Sequence, residues 1–276
     1  MSDEVADAGG ASLPGPEHAP DVSIIVVNYR TPDDCGQLWT AALALPPELS
    51  CEFIFVNNGS HGAFHPDTPD GCPCVQTIDL AHNLGLARAT NRAVQDARGR
   101  YLLVLNPDIR LEATAIQTLI GYLDAHPDVG VAAPMLLNAD GTRQHSVRTF
   151  YTWWTVLLRR TPLGLFFRKH VRAHLMADLD PEGPVAVDWA IGAALMVRRE
   201  LVEDGMLFDE RFFLYFEDVD LCARAWRAGR AVHLVPEACM FHDHRQQSRR
   251  NPFGPANRHH LRSMFRFLRK YGSFTP

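Results

Sequence analysis

The chain alternates short continuous apolar runs with amphipathic segments, and the runs close on polar or turn-forming residues. Val22-Ser-Ile-Ile-Val-Val27 closes on Asn28, Glu52-Phe-Ile-Phe-Val56 on Asn57-Asn58-Gly59, and Tyr101-Leu-Leu-Val-Leu105 on Asn106-Pro107-Asp108. Val129-Gly-Val-Ala-Ala133 ends at Pro134, and Val75–Leu80 is a further candidate strand. Such runs, largely apolar without polar alternation, predict strands buried on both faces of a parallel sheet. Helical patterns separate them over Asp33–Leu45, Leu84–Ala97 and Glu112–Ala125, the last with Ala115, Leu119 and Tyr122 on one face. Strand and helix in repeated alternation predict an α/β fold with a mostly parallel central sheet. Ligands of such sheets collect at the carboxyl ends of the strands. Those ends read Asn28, Asn57-Asn58 and Asn106–Asp108, so one polar edge is the expected site.

The second half is patterned differently. Asp140-Gly141 is a turn signal. Val187–Val197 reads as one long strand interrupted by Gly192, and Ala231–Val235 as a short strand. Phe208–Asp220 mixes aromatics with acids and leads into a helix ending at Ala228, capped by Gly229. On that helix Phe216, Val219, Ala223 and Trp226 have core-facing spacing, which leaves Glu217, Asp218 and Asp220 at its first turn. Acids there complement the helix dipole. Aromatic walls beside a carboxylate also raise its pKa, as a general base requires. Near the C-terminus Leu261, Met264, Phe265 and Leu268 are spaced like one helix face.

Composition narrows the class. The 276 residues are 46% hydrophobic and 21% charged, which excludes disordered, collagen-like and coiled-coil chains. The net charge of -5 argues against nucleic acid as a partner, but the charge is unevenly placed. Residues 141–177 and 244–276 contain no acid, and the first of these segments interleaves its arginines with Tyr151, Trp153, Trp154, Leu157, Leu158, Leu165, Phe166 and Phe167. That asymmetry points to an anionic partner or surface. Residues 1–20 read as a disordered tail without a secretory pattern, and no run reaches the ~18 apolar residues of a membrane span. The six cysteines are scattered and are expected to be reduced and mostly buried. A cytoplasmic location is expected. Dinucleotide, P-loop, nucleophile-elbow and zincin motifs are missing, so anions would be held by a metal, by arginines or by helix N-termini. Asp108 could hold a metal or a ligand hydroxyl, and His242 or His244 in Phe241-His-Asp-His244 could offer an imidazole.

Taken in order, these motifs resemble the inverting glycosyltransferases of family 2, in the branch that includes rhamnosyltransferases. The resemblance rests on Val22–Tyr29, Phe55-Val-Asn57-Asn58-Gly-Ser60, His82-Asn83-Leu-Gly85-Leu-Ala87 with Asn91, Leu105-Asn-Pro-Asp108, Gly192–Arg198, Phe208–Phe213, Glu217-Asp218 and His242. It implies a GT-A fold: a single Rossmann-like nucleotide-binding half (21–135) fused to an acceptor-binding half (136–244), with 245–276 a basic helical extension. It implies Asp218 as general base with Glu217 beside it. Asn28, Tyr29, Arg30, Asn57, Asn58, Asn83, Gly85, Asn106 and Asp108 would bind the donor, and Trp189, Gly192, Phe213 and Tyr215 the acceptor. Mg²⁺ or Mn²⁺ would sit on Asp108 and His242. The implied donor is a dTDP- or UDP-linked sugar, with rhamnose among the candidates, and the acceptor a glycan, a lipid-linked molecule or a small molecule. The basic aromatic segment would meet that acceptor or the inner membrane face. Two positions depart from the family pattern. Asn106-Pro-Asp108 carries one carboxylate where the family has two, so the metal site must be completed differently. Asn57 replaces a usual Asp and changes the pattern offered to a base. A nucleotide-sugar or glycan-binding module without turnover is the alternative, and a metal-dependent phosphohydrolase a third reading.

Overall fold

The structure is a computed structural model that describes residues 19–59, 62–68, 74–160, 165–243 and 255–272. Strands β1 (Val22–Asn28), β2 (Cys51–Asn58), β3 (Cys74–Leu80) and β4 (Tyr101–Leu105) lie in the order β3-β2-β1-β4, all parallel. Helices α1 (Pro32–Ala42), α2 (Leu86–Asp96) and α3 (Ala113–Ala125) connect the first half. The sheet continues through β10 (Ala194–Arg198), β6 (Val129–Leu137), β11 (Ala231–His242) and the short β5 (Ile109–Arg110), while β8 (Val185–Ala186) pairs with β11. β10 runs antiparallel between β4 and β6, and β6 is parallel to β11. A separate two-stranded sheet pairs β7 (Val147–Arg148) with β9 (Trp189–Ala190). Helices α4 (Trp153–Arg160) and α5 (Arg168–His174) follow β7, α6 (Glu217–Arg227) precedes β11, and α7 (Pro255–Tyr271) closes the chain.

The absence of polar alternation in the strands has the expected cause. Ile24 and Val26 pack on one side with Leu38, Trp39, Ile116 and Leu119 from α1 and α3. Ile25 faces the other core, with Ala89, Ala93, Val219 and Phe267 from α2, α6 and α7. Each fully buried aliphatic side chain contributes about 1.5–3 kcal/mol, so a strand apolar on both faces is held between two helix layers.

Four expectations need correction. Val187–Val197 is not one strand: the chain leaves β9, crosses residues 191–193 and enters the main sheet as β10. The crossing residues spend their backbone groups elsewhere, since Ile191 N–H donates to the Ser146 carbonyl and Asn106 N–H donates to that of Ala193. β6 does not end at Pro134 but runs to Leu137, and β11 does not end at Val235 but runs to His242. A register shift between Val235 and Cys239, opposite Pro134 and Met135, absorbs both Pro134 and Pro236 without breaking the pair. The apolar face of the C-terminal helix is Met264, Phe267 and Leu268, whereas Leu261 and Phe265 are exposed.

β6 also crosses the expected 135/136 boundary, so both halves share one sheet. Among the described cysteines, all free, Cys35 and Cys222 are buried and Cys239 is exposed. The expected tail lies almost wholly outside the described residues, as does His244.

Candidate active site

The carboxyl ends of β1, β2 and β4 lie side by side, and antiparallel β10 begins at the same edge, with Ala194 opposite Leu105. Three buried asparagines hold this edge, Asn28 and Asn57 through one shared amide network and Asn58 through a second. Asn28 Nδ2 donates to Asn57 Oδ1 (2.8 Å) and to the Gly62 carbonyl (2.9 Å), while its Oδ1 accepts from Thr31 N–H and hydroxyl. Asn57 Nδ2 donates to Asp79 (2.7 Å) and to the Phe64 carbonyl, and its Oδ1 also accepts from Phe64 N–H. Asn58 bridges to Asn83 Oδ1 (3.0 Å) and the Gly85 carbonyl and accepts from Leu84 N–H. All four hydrogen-bonding positions of Asn28 and of Asn57 are filled within the protein. Gly85 has φ 87° at the N-terminus of α2, and an added Cβ would fall 2.4 Å from the Phe213 carbonyl. Tyr29 and Arg30 stand exposed beyond this network, with the guanidinium 5.3 Å from the ring centroid.

Further along the edge, extended β11 delivers His242, and the turn after β4 delivers Asp108. His242 Nε2 lies 3.4 Å from Asp108 Oδ1. Gln144 Nε2 donates to the His242 carbonyl (2.9 Å), which turns its Oε1 toward His242 Nδ1 (2.9 Å). With the Gln144 amide set by the His242 carbonyl, Nδ1 donates toward Gln144 Oε1 and Nε2 faces the Asp108 carboxylate. A carboxylate and an imidazole held by an outer partner lie side by side, a pairing that suits a divalent cation. Among the described residues no group of three or more His, Cys, Asp or Glu could hold a metal ion.

The third part is the start of α6. Tyr215 and Phe216 have φ 66° and 70°, left-handed conformations that cost aromatic residues about 1–3 kcal/mol each. They turn the chain so that Glu217 and Asp218 arrive beneath residues 191–193. Gly192 N–H donates to Asp218 Oδ2 (2.8 Å) and Val219 N–H to its Oδ1 (2.8 Å). Burial raises the Asp218 pKa, opposed by those two N–H groups and by the charge of Arg148. Glu217 is buried, its Oε2 has no hydrogen-bond partner among the described residues, and burial followed by the Asp218 charge pushes its carboxyl well above the usual range. Asp220 is different. It is fully buried and bound to Arg224 (3.2 Å), Lys270 (2.7 Å) and the Tyr271 hydroxyl (2.8 Å), which ties α7 to α6.

The sequence profile described as Glycosyl transferase family 2 matches residues 23–180, more than half of the chain. The protein belongs to glycosyltransferase family 2. It is 28% identical over 265 residues to the N-acetylglucosaminyl-diphospho-decaprenol L-rhamnosyltransferase of Mycobacterium tuberculosis, covering 90% of this chain and 84% of that one. It is 29% identical over 191 residues to rhamnosyltransferase WbbL of Escherichia coli, covering 68% and 69%. Its fold is similar to that of GalNAc-T7 crystallised with UDP, GalNAc and Mn²⁺ (TM-score 0.61, 14% identity, 92% of this chain and 50% of that one). The fold is therefore GT-A.

Within this family 2 glycosyltransferase the four residues expected at the acceptor separate. Gly192 touches Asp218, with an added Cβ falling 3.4 Å from the Asp218 Cβ. Phe213 packs on Gly85 and stacks on His259 (4.7 Å), and the Tyr215 ring lies 5.3 Å from that of His260. Trp189 is buried, donates from Nε1 to the Thr149 carbonyl and stacks with Tyr151. Asn106 is partly buried, and its backbone N–H is used by Ala193. Sequence reasoning missed Gln144, Arg148 and Asp79, which act through neighbours. Only Arg148 had a signal, as a cation in the acid-free segment.

Proposed function

We propose that the protein is an inverting rhamnosyltransferase, taking its sugar from a dTDP- or UDP-linked donor and passing it to the hydroxyl of a lipid-linked glycan. The sugar and acceptor classes are those named for the mycobacterial relative. The observation that carries the chemistry is Asp218: a partly buried carboxylate of raised pKa, fixed by two N–H donors at the edge where the strands end. A hydroxyl is a weak nucleophile, and a positioned carboxylate that takes its proton contributes about 10²–10⁴-fold. Asp218 removes the proton as the hydroxyl attacks the anomeric carbon from the face opposite the nucleotide, so one displacement inverts the configuration. Asp108 and His242 would hold Mg²⁺ or Mn²⁺, which when bound stabilises the charge of the departing diphosphate. Asn28, Asn57 and Asn58 shape the donor cradle by holding the loops after their strands, and Tyr29 and Arg30 offer exposed groups at its rim.

Thermal-shift screening against dTDP-rhamnose, UDP-glucose, UDP-galactose and UDP-N-acetylglucosamine, with and without Mn²⁺, should single out dTDP-rhamnose. Transfer from that donor should give a product of inverted anomeric configuration by NMR. A retained configuration rejects the single-displacement role of Asp218, and a donor that binds without any transfer favours a binding module.

A further inference from the structure

A second feature of the acceptor half does not belong to the reaction. Between β7 and β8 the chain throws out the helices α4 and α5, whose inner residues are well anchored. Tyr151 is buried against Phe216 (4.9 Å), Trp189 and His174, and Leu158 is buried beneath α4. The outer residues are of the opposite kind. Trp153 is 55% exposed, Trp154 46%, Leu165 65% and Phe166 83%. Trp154 meets Phe167 edge to face at 5.6 Å, which joins the two helices' outer surfaces into one patch. At roughly 150–250 Å² per aromatic side chain, these residues leave several hundred Å² of apolar area open, at the upper end of what a monomer exposes without a partner.

Within residues 141–177, the segment that carries the patch, the charges have one sign, with no acid present. Arg168 and Lys169 are exposed at the start of α5 and form no ion pair among the described residues, whereas Arg172 is paired with Asp178. Exposed tryptophan and phenylalanine beside unpaired cations are the composition of a segment lying in a lipid–water interface. A symmetric contact with a second copy would bring the Arg168-Lys169 pairs together and is disfavoured by their repulsion. Among the described residues no helix is long and apolar enough to cross a membrane, so attachment through this surface would be peripheral.

We propose that the α4–α5 hairpin is a membrane-docking element that seats Trp153, Trp154, Leu165 and Phe166 in the interface of an anionic bilayer, with Arg168 and Lys169 at the headgroups. The hairpin leaves the body directly after Arg148, whose charge acts on Asp218. Docking there brings the general base close to the plane in which a lipid-linked acceptor presents its glycan. The docking itself rests on the surface and not on the proposed reaction.

The test is flotation of the full chain, carrying Asp218→Asn so that turnover plays no part, with vesicles of phosphatidylcholine alone or with 30% phosphatidylglycerol at low salt. The protein should float with the anionic vesicles and be released by salt. Combined Trp153→Ala, Trp154→Ala and Phe166→Ala should lower partitioning at least tenfold, with dTDP affinity unchanged within twofold. Arg168→Glu with Lys169→Glu, both at exposed positions, should lower it about tenfold on anionic vesicles and remove most of the salt dependence. Failure of the parent to float, or flotation of both variants like the parent, overturns the proposal. So does a self-association that the triple variant abolishes without any vesicle binding. None of these results bears on whether Asp218 is the base.

Discussion

The two sides of the strand-end edge are built on opposite principles. On the donor side, Asn28 and Asn57 have every hydrogen-bonding position filled by protein, and Asn58 is locked to Asn83, Leu84 and Gly85. On the side proposed for the acceptor, two consecutive aromatics hold left-handed backbone and Glu217 Oε2 is buried without a hydrogen-bond partner among the described residues. A satisfied network is rigid and costs nothing to maintain. A strained turn carrying under-solvated carboxylates costs stability and persists only because the surrounding packing enforces it. On the proposed reading, the asparagine side supplies shape and the Glu217–Asp218 side supplies reactivity. The most direct way to break this contrast is Asp218→Asn. Transfer should fall by about 10²–10⁴-fold in a single-turnover assay, while dTDP binding by calorimetry and the melting temperature stay near those of the parent. A variant that keeps parental turnover would show that the reactive group lies elsewhere.

The contrast sharpens within two residues of sequence. Asp220 lies on the same first turn as Asp218, yet it faces inward to Arg224, Lys270 and Tyr271. Asp220→Ala removes the carboxylate shared by Arg224, Lys270 and Tyr271 while Lys270 keeps Asp209, a loss of about 3 kcal/mol, the lower end for breaking a buried pair. Urea unfolding should show this, and limited proteolysis should show α7 released first. Asp218→Asn should do neither. If both substitutions destabilise equally, the division between a reactive and a structural acid fails.

Much of this was legible in the chain. Runs such as Val22–Val27 and Tyr101–Leu105 lack polar alternation because helices cover both faces, and that placed four parallel strands and their polar ends correctly. Glu217, Asp218, Asp108 and His242 could be named because their motifs are local. What escaped depends on contacts between distant segments. Pro134 and Pro236 read as strand ends, since nothing in either segment reports that the irregular pairing between β6 and β11 accommodates both. Trp189 read as an acceptor contact, but the pairing of β9 with β7 buries it under Tyr151. Asn57 read as a base contact, but Asp79, from the edge strand β3, and Phe64 use its amide completely. Gln144 had no signal because its role exists only where it meets His242, 98 residues away.

That last contact gives a smaller effect on the metal side of the edge. Gln144→Ala removes the acceptor that fixes the Nδ1 proton and frees the imidazole to rotate or change tautomer. Loss of such an outer partner costs about 10–100-fold in metal affinity. Titration of Mn²⁺ in the presence of dTDP should show that loss, and nucleotide binding without metal should be unchanged. Gln144→Glu can still accept from Nδ1 and should recover part of it. An equal loss with and without Mn²⁺ would assign Gln144 to general packing.

The smallest effect tests the claim that the acceptor side costs stability. The folded-state pKa of Glu217 is raised above its ordinary value of 4.5, first by burial and then by the Asp218 charge. Above that value the unfolded chain has released this proton while the folded chain still holds it, so the group favours unfolding progressively as pH rises from about 4.5 toward the folded-state pKa. Glu217→Gln cannot ionise. It should therefore be more stable than the parent at pH 7–8, by the roughly 0.5–2 kcal/mol typical of relieving an active-site group. The advantage should disappear well below pH 4.5, where the parent is protonated in both states. Chemical denaturation of the two proteins across that range measures the difference directly. Equal stability at every pH would mean that Glu217 finds a partner in solution, and the acceptor side would then resemble the donor side more closely than its backbone strain implies.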